Sequence, residues 1–81
     1  MSRHTPEDAW VEFTARHGVG DIVEGDVVSH HEPYGAFVRV GEIDGFAPNP
    51  EWPTLPAVGT TVRVRILAVD LERQRAAFGP A

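Results

Sequence analysis

The sequence predicts a mainly β domain, five short antiparallel strands closed into a small barrel and preceded by one short N-terminal α-helix. Three observations lead there. Apolar spacing is helical up to Gly18 and changes to a period of two from Asp21 onward. The alternating segments are short and separated by turn signals, the pattern of a small barrel or sandwich. And 81 residues suffice for one small core, not two.

The helix comes first. In TPEDAWVEFTARHG, Thr5 can act as N-cap, Pro6 suits the first helical position, and Glu7 and Asp8 lie at the positive end of the dipole. Gly18 is placed to end the helix in a left-handed conformation. Trp10, Phe13 and His17 share one face, which packs on the rest of the domain or, alternatively, displays aromatics to a partner. Residues 1–18 are therefore read as a helix packing on the barrel, and 19–81 as the barrel itself.

DIVEGDVVSHH is the first strand, with Val23 and Val27 on one face and Glu24, Asp26 and Val28 on the other. YGAFVRV is the second, in which Ala36, Val38 and Val40 oppose Phe37 and Arg39. Gly41 and Glu42 turn into a short third strand, IDGFA. The next stretch, PNPEWPTLPAVG, holds four prolines and reads as a loop with room for one helical turn. TTVRVRILAVD is the fourth strand, with Val62, Val64 and Ile66 inward and Arg63 and Arg65 outward. A turn at LERQ leads to RAAF. The five-stranded barrel that fits this order is the OB fold, whose binding surface is its second and third strands with the flanking loops.

Charge limits the function classes. The net charge is −5, which argues against bulk binding of duplex phosphates. Residues 19–58 carry seven acidic side chains against Arg39 alone, whereas 59–81 carry four arginines against Asp70 and Glu72. A small local cationic site is compatible with that distribution. There is no cysteine, hence no disulfide or thiolate chemistry. No apolar run approaches a membrane span, and MSRHTPEDAW lacks the apolar centre of a signal peptide, so a cytoplasmic protein without membrane contact is expected. No nucleophile triad, phosphate loop or carboxylate cluster stands out, so the expectation is no enzyme and no cofactor. His30 and His31 are adjacent and lack further ligands at metal spacing, so no metal is expected. Between the first two strands they can touch a ligand instead.

The aromatic pair Tyr34 and Phe37 leaves two readings open. Three residues apart on a regular strand, they point to opposite faces, and one or both complete the core. A kink at Gly35 instead lets both face outward.

"GDIVEGDVV", "YGAFVRVGEIDGFA" and "GTTVRVRILAVDLERQR", in that order, resemble the RNA-binding domain family named after ribosomal protein S-one, over about residues 20–79. The resemblance implies an OB-fold module that binds single-stranded RNA with little sequence preference. It implies display of Tyr34 and Phe37, which stand at the family's two contact aromatics, and a contact role for Arg75, at its basic position. The family's histidine after the third strand is replaced by Pro48, and its "R-I-S-L-S" ending by "RAAFG". Arg39 shares the outward face of Phe37, and Asn49 offers a hydrogen bond from the rim. The candidate RNA-binding residues are thus Tyr34, Phe37, Arg39, Asn49 and Arg75. The expected partner is single-stranded RNA, in translation or RNA metabolism, with the ribosome or another protein as a further partner. The alternative is a protein-interaction module on the same barrel with little RNA affinity.

Overall fold

A computed structural model describes residues 5–52 and 54–81. Helix α1 spans Pro6–Arg16 and opens with a reciprocal capping box. The Asp8 N–H donates to Thr5 Oγ1 at 3.1 Å, and the Thr5 N–H donates to Asp8 Oδ2 at 3.2 Å. The helix ends just before Gly18, but without the left-handed glycine turn the sequence suggests. His17 caps it in an extended conformation, its N–H donating to the Phe13 carbonyl, and the positive φ falls at Gly20 rather than Gly18. Ala9, Trp10 and Phe13 are buried in the same apolar cluster as Val40 and Ile43, so this face packs inward on the barrel.

The strands are β1 (Ile22–His31), β2 (Gly35–Val40), β3 (Ile43–Pro48), β4 (Thr61–Asp70) and β5 (Arg75–Pro80). They close into a barrel in the order β1-β2-β3-β5-β4. The expectation of a purely antiparallel barrel is corrected here. Four neighbour pairs are antiparallel, but β3 and β5 run parallel, with Phe46 opposite Ala77. The reason is arithmetic: strand direction can alternate all the way round a closed ring only if the number of strands is even. Five strands force one parallel pair. It falls at β3–β5 because the proline-rich segment after β3 carries the chain across to place β4 beside β1. That segment begins with the 3₁₀ turn Asn49–Glu51.

Two long strands bend to serve two neighbours each. β1 pairs with β4 through Ile22–Asp26 and with β2 through Asp26–His31, with a register shift between Val27 and Ser29. β4 shifts between Ile66 and Ala68 where it pairs with β5. Such bulges curve a strand and let a small sheet close on itself. Inside lie Val27, Ala36, Val38, Ala47, Val64, Ile66 and Phe78, all at or below 1% exposure. Phe78 fills the centre because β3 yields to it: a Cβ on Gly45 would collide with Phe78 Cε2 and lie 2.7 Å from its Cζ. Trp52 covers this end of the core and donates its indole N–H to the Phe78 carbonyl at 3.0 Å.

Candidate nucleic-acid interface

The two-residue turn Gly41–Glu42 sets the register of β2 on β3. It places Phe37 directly opposite Phe46 and Arg39 opposite Asp44, each pair on the outer face. The rings of Phe37 and Phe46 meet edge to face at 5.3 Å. His31, at the end of β1, adds a third ring 6.3 Å from Phe37 and 5.6 Å from Tyr34. Phe37 therefore points out while Ala36, Val38 and Val40 are buried.

Tyr34 reaches the same surface from the turn before β2, not from the strand. Its N–H donates to the His31 carbonyl at 2.7 Å, closing the turn. Gly35 then takes φ +156°, and a Cβ there would collide with the Ala47 carbonyl and lie 2.8 Å from Phe46 Cζ. Only glycine permits this close passage of turn over β3. The result is display of both rings: Tyr34 is 63% exposed and Phe37 36%.

These rings line an open groove of about 660 Å³. Its opposite wall is Ala68, Val69, Ala76 and Ala77, and its charged lining is Asp44, Asp70 and Arg75. Arg75, at the start of β5, stands where the resemblance put the basic contact. Among the described residues no ion pair engages it.

Two candidates sit differently from the others. Arg39 is outward, but its guanidinium is forked onto Asp44, with Nε to Oδ1 at 2.8 Å and a terminal nitrogen to Oδ2 at 3.2 Å. Those hydrogen bonds, and then the carboxylate's charge, hold Arg39 yet more firmly protonated than a free guanidinium. Asn49 lies behind the Tyr34 turn. Its side-chain N–H donates to the Pro33 carbonyl at 3.2 Å and its backbone N–H to the Tyr34 carbonyl at 2.8 Å. The structure thus gathers Tyr34, Phe37 and Arg75 in one groove, with Arg39 beside it and Asn49 buttressing it.

Phe46 and Asp44 line the groove without being sequence candidates, and His31 joins them from the loop position where a ligand contact is expected of it, though not its place against Tyr34. A two-residue turn at 41–42 already implies that 37 faces 46 and 39 faces 44, so Phe46 and Asp44 were recoverable by counting. The approach of His31 to Tyr34 was not, since it depends on the turn geometry. His30, beside it, points elsewhere, with Nε2 2.7 Å from the Pro56 carbonyl oxygen. Among the described residues no group of three or more His, Asp or Glu side chains could hold a metal ion, and no helix is long and apolar enough to cross a membrane.

The model of the S1 RNA binding domain matches residues 16–79. Small ribosomal subunit protein bS1 of Mycobacterium leprae and of Mycobacterium tuberculosis is 39% identical over 80 residues, covering 88% of this chain. The chain spans 16% of the length of these relatives. The solution structure of GSP13 from Bacillus subtilis is similar with TM-score 0.68 and 29% identity, over 78% of this chain and 55% of that one. An uncharacterized protein from Methanocaldococcus jannaschii gives TM-score 0.69 and 26% identity, over 80% and 93% of the two chains.

Proposed function

Because the chain belongs to the S1 RNA-binding domain family, we propose that it binds single-stranded RNA in the groove between β2–β3 and the start of β5, by stacking unpaired bases on Tyr34 and Phe37. The observation that carries this is the exposure of those two rings beside Phe46 and His31 on a face the core does not use. Exposed rings on a strand are a poor packing solution and a good platform for bases, each stacked base contributing about 1–3 kcal/mol whatever its identity. His31 and Phe46 set the tilt of the two outer rings from behind.

Arg75 supplies the phosphate contact, and Arg39, at the groove's edge, adds a second one only where a phosphate displaces Asp44 from its guanidinium. Asn49 holds the Tyr34 turn in place and presents its amide to the rim. With so few cations on a chain of net charge −5, binding is weak, tolerant of sequence and shallow in its salt dependence. The module is a binder without catalysis. Its likeness to bS1 supports a cytoplasmic role in which RNA is met on or near the ribosome.

A protein-interaction role on the same barrel draws support from two carboxylates facing one arginine in the groove. It loses the support of an exposed helix face, because Trp10 and Phe13 are buried. A residue-resolved NMR titration with short single-stranded RNA, at low and physiological salt, tests the proposal. Shifts centred on His31, Tyr34, Phe37 and Arg75 that persist at the higher salt are expected. No shifts at either salt would leave the protein-interaction reading in its place.

A further inference from the structure

Building on the RNA-binding reading, we infer that Asp44 sets an upper limit on RNA affinity by masking Arg39. The guanidinium fork, which matches a phosphate as well as it matches a carboxylate, is already filled on two nitrogens by Asp44. The pairing is built into the backbone. Arg39 and Asp44 are directly opposite across a two-residue turn, so the carboxylate is held beside the guanidinium at high effective concentration. Asp26, on the other side of Arg39 in the β1–β2 register, is engaged by the Thr61 hydroxyl at 2.7 Å and leaves the fork to Asp44.

The pair is open to competition. The two side chains are 54% and 43% exposed, and an ion pair in water at that exposure is weak. A phosphate can therefore displace Asp44 only at the expense of the existing bonds, and the displaced carboxylate stays in the groove wall. Asp44 lines the groove while Arg39 does not. With Asp70 it outnumbers Arg75, so the same residue removes one cation from the RNA's reach and adds one anion to its path. Asp44 thus acts as a built-in competitor that keeps the groove's contact with RNA mainly to stacking.

The test is a fluorescence-anisotropy titration of a short labelled oligouridylate, from low to physiological salt. The proteins are the wild type, Asp44→Asn, Arg39→Gln, the double variant, Phe37→Ala and Glu24→Gln. The last removes one charge on β1, opposite Arg63 and away from the groove. Asp44→Asn is expected to tighten binding by about two- to five-fold at low salt, the span of an exposed ion pair. Its plot of log affinity against log salt should steepen by about 0.7, one added phosphate contact on a single strand. Arg39→Gln added to Asp44→Asn should cancel both changes, and Arg39→Gln alone, which leaves the Asp44 charge unpaired in the groove wall, should weaken binding without steepening the salt dependence. An unchanged or weaker Asp44→Asn, or an equal gain from Glu24→Gln, would overturn the masking role while wild-type binding that Phe37→Ala weakens at least about five-fold keeps the RNA reading intact. If no variant binds, both fall together.

Discussion

Replacing Phe37 by Ala separates a displayed ring from a packed one. Phe37 is 36% exposed and Phe78 is 0% exposed, so the same truncation has two very different expected costs. Full burial of a Phe side chain stabilises by about 1.5–3 kcal/mol. With about two-thirds of Phe37 covered, its loss removes about 1–2 kcal/mol, and the outer face has no closed cavity to leave behind. A fully buried Phe truncated to Ala costs about 3–5 kcal/mol, which a barrel this small does not tolerate. On RNA, Phe37→Ala forfeits one stacked base, a loss of about 1–3 kcal/mol or roughly five- to 150-fold in affinity. Urea denaturation followed by tryptophan fluorescence measures the first quantity, and anisotropy with labelled single-stranded RNA the second. A folded Phe37→Ala protein with undiminished RNA affinity would refute the stacking role. A Phe37→Ala protein that cannot fold would refute the display itself.

Arg75→Ala should weaken binding at low salt and make the salt dependence shallower by about 0.7, read from the same titrations at several salt concentrations. Gly45→Ala should destabilise the fold by about 1–3 kcal/mol, because its Cβ drives into the Phe78 ring and the barrel centre has no room to relax. Thermal denaturation reports this directly. Trp52→Phe keeps an aromatic lid on the core but leaves the Phe78 carbonyl without its indole donor, so a loss of about 0.5–1.5 kcal/mol is expected in urea melts.

Much of this molecule is legible in its residue order because the signals are local. A period of two assigns Val38 to the core and Phe37 to the surface as soon as YGAFVRV is accepted as a strand, and 36–40 follow that alternation without exception. The capping residues of α1 announce its start for the same reason: Thr5 and Asp8 bond within one turn of chain. Pro48 and the prolines after it mark where the third strand must stop pairing, and the 3₁₀ turn begins at Asn49. Less legible were relationships that require two distant segments at once. Tyr34 is three residues from Phe37, which by alternation alone divides them. They share a surface because the chain turns at 32–34 and passes close over Ala47 at Gly35.

Residue order alone carried the number of strands, their approximate spans and which face of each is apolar, since these depend on backbone geometry repeated over two residues; it did not carry their ends, for Tyr34 lies in the turn before β2 and the last strand runs past RAAF to Pro80. It also carried the order of elements that marks the family. The tertiary structure alone decided which outward residues become neighbours. It brought His31 to Tyr34, turned β3 and β5 parallel to close an odd-numbered ring, and gave the fork of Arg39 to Asp44. Those outcomes rest on register and closure, and a one-residue change in either moves every side chain to a different partner without altering the pattern along the chain.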